Sequence, residues 1–257
     1  MKYYEEFLKK GCFGYEKALE IVGAEATTKS ILQQYVKNGY LARVKRGLYV
    51  AINLLDDQPA VNKFVIASHL TDTAFVSHHA AFEYYGYANQ VSYDIPVSSK
   101  SKFRPLSFQG YTYRHVTPKT EIGVTMQRDG VRVSDVEQTV LDCINDFESG
   151  MGFEELTNCI GAIPSLKDEK LLYYLNAYDT CFLYQKTGYI LQHFRDDLAL
   201  SNHFFEVCKE RTGKSTRYFM NGMTKGNMDF DREWNLIVPQ DLWGNTAVNG
   251  GDENADI

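Results

Sequence analysis

The chain has 257 residues, 44% of them hydrophobic, with 27 basic against 33 acidic side chains and a net charge of −6. That length leaves room for a small domain beside a larger one, each with a real core, and the net acidity argues against wholesale coating of nucleic acid. No run approaches the roughly 20 apolar residues needed to cross a bilayer, and the opening MKYYEEFLKK lacks a signal-peptide core.

The first predicted helix covers residues 4–10. A second spans 15–22, with Ala18, Leu19 and Val22 at helical spacing, and Gly23 and Ala24 supply a short turn. Thr27 is the expected N-cap of a third helix. Placed at about 100° per residue, Ile31, Leu32, Tyr35 and Val36 of that helix fall on one side. Lys29, Ser30, Gln33, Gln34 and Lys37 fall on the other, a face of cations, amides and a hydroxyl. Such groups suit phosphates and base edges, since Gln can pair with adenine and Lys with guanine or the backbone. Gly39 is placed for a left-handed C-terminal cap.

Tyr40, Ala42 and Val44 then alternate with Leu41, Arg43 and Lys45, the period of a half-buried strand. Arg46 and Gly47 turn the chain into a returning strand over 48–52. Residues 1–52 therefore predict a winged helix-turn-helix, with Arg43, Lys45 and Arg46 crowding the wing beside a bound duplex. Charge supports this reading. Residues 1–52 hold nine Lys and Arg against five Glu, a net of +4, while the remainder holds 18 against 28, a net of −10. A basic head on an acidic body orients the head toward DNA.

Residues 53–61 read as a linker, followed by a helix at 63–70 and a break at 71–73. In SHHAAFEYYG, Ser77 is placed to cap a helix over 78–85 that ends at Gly86. Strands are expected at 92–97, 108–116 and 123–127, with a tight hairpin at Asp129 and Gly130. Ser134 to Glu137 spell a capping box, opening a helix whose Val136, Val140, Leu141, Ile144 and Phe147 share one face. Residues 153–211 read as mainly helical, with Gly188 weakening the stripe at 183–194. A strand at 234–238 precedes Pro239, and an acidic tail over 243–257 is expected to be disordered. The fold class is thus α+β: a winged head, then a mixed body over 62–242 with a helical second half. Cys12, Cys143, Cys159, Cys181 and Cys208 are scattered and lack zinc-site spacing, which reads as buried thiols in a reducing cytoplasm.

The succession of RVKRGLYV, SHHAAFEYYG, VSDVEQTVLDCI and DREWNLIVP resembles AbiEi-type antitoxins of bacterial abortive-infection toxin–antitoxin pairs, over about residues 2–242. The resemblance implies a repressor that binds inverted repeats in its own promoter through the winged head. It also implies an antitoxin body that counters a nucleotidyltransferase-like toxin without a stable complex. The implied DNA-reading positions are Thr28, Lys29, Gln33, Lys37, Arg43, Lys45 and Arg46. Two molecules on an inverted repeat would associate cooperatively. No cofactor or metal is implied.

The rival reading is a DNA-targeted, metal-dependent nuclease or nucleotide-processing enzyme. Asp168, Glu169 and Lys170 form an acid-x-Lys triplet of the kind nucleases use, although a helix start explains them as well. His78 and His79 would diverge by about 100° on a helix, and His69, His115, His193 and His203 are isolated. There is no GxxxxGK and no GxSxG. Gly222, Lys225 and Gly226 read as a turn before Asp229 and Asp231. Lys214 and Arg217, in TGKSTRYF, could add a backbone or partner contact from the body.

Overall fold

A computed structural model describes residues 2–220 and 227–244. Its first elements are helix α1 (Tyr4–Lys10), strand β1 (Cys12–Gly14), helices α2 (Tyr15–Val22) and α3 (Glu25–Lys37), and strands β2 (Leu41–Lys45) and β3 (Leu48–Asn53). β3 is central and runs antiparallel to both β1 and β2. Aromatic rings fill the space between helices and sheet. Phe7 stacks on Phe13 at 4.8 Å and meets the edge of Tyr35 at 6.0 Å, and Leu32, Leu41 and Ala51 complete the cluster. Each large side chain so buried contributes roughly 1.5–3 kcal/mol. The Tyr4 hydroxyl donates to Ile52 O at 2.6 Å, tying α1 to the last turn of β3.

Residues 53–61 fold back on this sheet instead of linking two bodies. Asn53 Oδ1 and Asp56 Oδ1 accept the amides of Leu55 and Gln58, as Asn and Asp do in turns. Strand β4 (Gln58–Pro59) then pairs antiparallel with the end of β3, Ile52 opposite Pro59.

After it come α4 (Lys63–Ser68), β5 (Phe75–Val76), α5 (His78–Tyr85), β6 (Asp94–Ser98), β7 (Leu106–Phe108), β8 (Tyr111–Val116), β9 (Val124–Met126) and β10 (Arg132–Ser134). The strands form a mixed six-stranded sheet in the order β7-β8-β6-β5-β10-β9. Its buried residues include Phe75, Ile95, Val97, Tyr113 and Val133, and α4 packs on it with Val65, Ile66 and Ala67 buried. The strand expected over 108–116 is instead a hairpin. Gln109 at φ 51° and Gly110 at φ 79° form its two-residue turn, and two positive φ values match the twist of the flanking strands.

Contacts divide the chain into one unit of residues 1–84 with 92–135 and another of 85–91 with 136–257. The division expected at 53–61 therefore falls inside the first unit. The second is mainly helical: α6 (Val136–Asp146), α7 (Gly152–Gly161), α8 (Asp168–Tyr178), α9 (Cys181–Leu191) and α10 (Asn202–Arg211). It also holds a three-stranded sheet, β11 (Arg217–Tyr218), β12 (Met228–Asp231) and β13 (Leu236–Pro239), with β13 in the middle. Glu137, expected to close a capping box, accepts the Lys167 amide and the Lys170 ammonium, each at 3.2 Å.

Residues 183–191 of α9 are all buried. Gly188 belongs in that stripe because the Trp234 ring lies against it, where a Cβ would sit 2.0 Å from the ring. Trp243, expected to open the tail, is part of the fold: its Nε1–H donates to the Tyr189 hydroxyl at 3.0 Å and its ring stacks on His193 at 3.8 Å. Residues 245–257 of the expected tail lie outside the described residues. Among the described residues, no helix is long and apolar enough to cross a membrane.

Burial holds the His193 imidazole below its ordinary value near 6.5. The unfolded ring takes a proton first on acidification, so stability from this site is present above about pH 6.5 and falls as pH drops through that value. Between about pH 7.5 and 5.5, the wild type is expected to lose more melting temperature than His193→Phe, which keeps an aromatic ring without a titrating nitrogen. Equal losses would remove His193 from this account.

Candidate nucleic-acid interface

Helix α3 begins earlier than its sequence suggests. Ala24, extended at φ −142°, precedes the first turn, and Thr27 lies inside the helix. Thr28 is 0% exposed, and its hydroxyl donates back to Ala24 O at 2.8 Å. A side chain so placed cannot reach a duplex, which removes Thr28 from the expected DNA-reading set.

The rest of the helix follows its periodicity. Leu32 and Tyr35 are buried, and Ile31 and Val36 half-buried, while Lys29, Ser30, Gln33, Gln34 and Lys37 are exposed. Lys29 pairs with Glu25 at 2.5 Å, and both side chains are well exposed. That hydrogen bond and charge raise the Lys29 pKa further, so the ammonium stays charged. Exposed pairs of this kind exchange readily with water and other anions, which leaves Lys29 able to move to a phosphate.

Both ends of α3 are fixed. At its start, Gly23 at φ 88° ends α2 and donates to Leu19 O at 2.7 Å. At its end, Gly39 at φ 76° donates to Val36 O and Tyr40 to Tyr35 O, the two bonds of a Schellman cap. The accompanying apolar contact is the edge-on pairing of the Tyr35 and Tyr40 rings at 5.5 Å.

The wing departs from simple alternation. Arg43 faces Tyr49 and Lys45 faces Leu48, so Val44 has no residue opposite and forms a β-bulge. The bulge lets Leu41 and Val44 both turn inward. Arg46 and Gly47 make the two-residue loop, and Gly47 O accepts the Tyr15 amide at 3.0 Å, holding the wing against α2. Arg43 and Arg46 are exposed. Lys45 is not free for DNA: it is half-buried and its ammonium donates to Leu70 O. The bulge re-aims it, which a period-two reading has no means of seeing.

Asp168, Glu169 and Lys170 do open a helix, α8. Asp168 Oδ2 accepts the Ser201 amide at 3.2 Å, whereas Lys170 turns to Glu137, so the triplet does not converge on one point. His78 Nδ1 lies 2.9 Å from Ser77 Oγ, and Ser77 also bonds Ser98. His69 and His115 are held by the carbonyls of Val65 and Ser99. Gly222, Lys225 and Gly226 lie outside the described residues. Arg217 is exposed, its guanidinium 5.4 Å from the centre of the Phe182 ring.

Four of the five free thiols are buried, and desolvation pushes Cys12 and Cys208 up to about 12. Cys181 is not buried as its sequence suggests: it is exposed at the first residue of α9.

No family model matches the chain, and no curated protein matches it either. Among solved structures it is similar to the crystal structure of the RV2827C protein from Mycobacterium tuberculosis, with a TM-score of 0.62 and 12% sequence identity. The likeness covers 92% of this chain and 90% of that one. At that identity it speaks to the fold alone: a mixed α and β architecture shared along nearly the whole length.

Proposed function

We propose that residues 1–52 form a winged helix-turn-helix and that the protein is a cytoplasmic, DNA-binding repressor of its own operon. One observation carries this reading. The outward face of α3 presents Lys29, Ser30, Gln33, Gln34 and Lys37 to solvent, with Arg43 and Arg46 exposed on the adjoining wing. α3 is the recognition helix, and the wing arginines contact phosphates beside the groove. The amides and Lys29 discriminate between base pairs, while phosphate contacts supply much of the affinity. Two molecules bind an inverted repeat.

The antitoxin half of the proposal rests on the motif order that resembles AbiEi-type proteins. In it the protein counters a nucleotidyltransferase-like toxin by functional antagonism. Growth rescue on co-expression with such a toxin encoded beside it is the test.

For the repressor half, Arg46→Ala is expected to weaken binding to promoter and scrambled duplexes alike and to reduce the salt slope by about 1. Gln33→Ala is expected to narrow the gap between the two duplexes, by about 1–3 kcal/mol of discrimination. Fluorescence anisotropy at two salt concentrations separates the effects, and identical behaviour of the two variants would count against these roles.

A further inference from the structure

We propose that the loop of residues 99–104 is a second phosphate-contacting element of the DNA interface, placed beside the wing by the Lys45 strut. This rests on the repressor reading and extends it to the six-stranded sheet.

The Lys45 ammonium donates to Leu70 O, fixing the end of β2 to the segment that follows α4. The next residues of that segment grip the loop. Thr71 Oγ1 and Thr73 Oγ1 lie 2.6 and 2.9 Å from Ser99 Oγ. Thr73 Oγ1 also accepts the amides of Lys100 and Ser101, at 3.1 and 3.3 Å. Ser99 itself is 0% exposed. From the other side, Phe103 sets the edge of its ring against His115 at 5.4 Å, and His115 Nε2 lies 2.9 Å from Ser99 O.

What this network holds in place is charge. SKSKFR carries three cations and no acid in six residues. Phe103 is half-buried, and its neighbours Lys102 and Arg104 are exposed. Neither has a hydrogen bond or ion pair with another of the described residues. Lys100 pairs with Glu121 at 2.7 Å but remains 69% exposed. Glu121 pairs with Lys100, and Asp72 is exposed between the two threonines that hold the loop, so the three cations of the loop outnumber these two acids. A surface of solvated charges requires no ordered Ser–Thr network anchored on a buried serine beneath it, whereas a phosphate site gains from one. Folding has already ordered the backbone, so binding does not bear that cost.

Position points to the same duplex the wing would touch. One residue and one hydrogen bond separate the Lys45 contact from Ser99, a path of roughly 10 Å. Both strands of B-DNA together carry one charge per roughly 1.7 Å of axis, so a backbone seated on the wing presents further phosphates at that distance. The lysine lost to DNA contact thus brings in two other cations.

The test uses the full chain, a labelled duplex from the region upstream of its own reading frame, and a scrambled duplex of equal composition. Lys102→Ala/Arg104→Ala is expected to bind both duplexes about tenfold more weakly at physiological salt, with a salt slope shallower by nearly 2 and an unchanged preference between them. Lys102→Gln/Arg104→Gln should behave alike, with an unaltered melting temperature. If both double variants match the wild type in affinity and slope while Arg46→Ala is weakened, the loop proposal is overturned and the repressor reading stands. If the wild type binds neither duplex, both fall together.

Discussion

Reversing both lysines on the outward face of α3, Lys29→Glu with Lys37→Glu, is expected to weaken promoter binding at least 100-fold at about 150 mM salt. The two cations stand at opposite ends of the exposed stripe, one in the second turn and one in the last. Each reversal removes a favourable phosphate interaction and adds a repulsive one, so the change in counterion release exceeds that of two neutral substitutions. Glu at position 29 also faces Glu25 one turn away, a like-charge pair that destabilises the helix by a few tenths of a kcal/mol. That is small beside the buried aromatic cluster beneath, so circular dichroism should match the wild type. Reversal of the exposed Lys167 with the exposed Arg211 offers a control of equal charge change in the other unit. Unchanged binding by the α3 variant would remove the helix from the interface, and equal losses in both variants would mean net charge alone is being read.

Gly188→Ala carries the largest expected loss of stability. Helix propensity alone favours alanine by about 1 kcal/mol, so the sign of the result is decisive. The added methyl would sit 2.0 Å from the Trp234 ring. That ring is 0% exposed, and its Nε1–H donates to Gln192 Oε1 at 2.7 Å. The Trp234 amide is held by Asp231 Oδ1 and its carbonyl by Gln185. With three anchors the indole cannot slide aside, and overpacking of this kind costs about 3 kcal/mol. A melting temperature lower by roughly 6–12 °C is expected. Trp234→Leu in the same chain should return part of that loss, the coupling that a double-mutant cycle isolates. A raised melting temperature for the single variant would mean the ring does not lie on α9.

Locally encoded features were legible from residues alone. α2 follows its apolar spacing, and the cap at Gly39 follows from a glycine after the last periodic residue. The exposed face of α3 is simply the complement of its buried stripe. Features decided elsewhere in the chain were not legible. Nothing in the wing indicates that Lys45 will find Leu70 O, because that bond depends on a loop far along the sequence. Thr27 is a good cap on paper, and the helix begins before it because Ala24 adopts the extended entry. Strand β1 is too short for a period to register. Gln109 is an unusual residue at positive φ, which hides the turn between β7 and β8. The 99–104 loop has no periodicity at all; its role depends on hydroxyls at 71, 73 and 99 that only the fold assembles. Gly188 weakened the helical pattern on paper and turns out to be what a packed indole requires.

The uneven sealing of the sulfur atoms has a practical side. Maleimide or iodoacetamide needs an open, ionisable thiol, and four of the five side chains deny it that access. A fluorophore offered to the native protein would attach at position 181, at the start of α9. A single reporter could thus be installed there without altering any residue of the DNA-reading face.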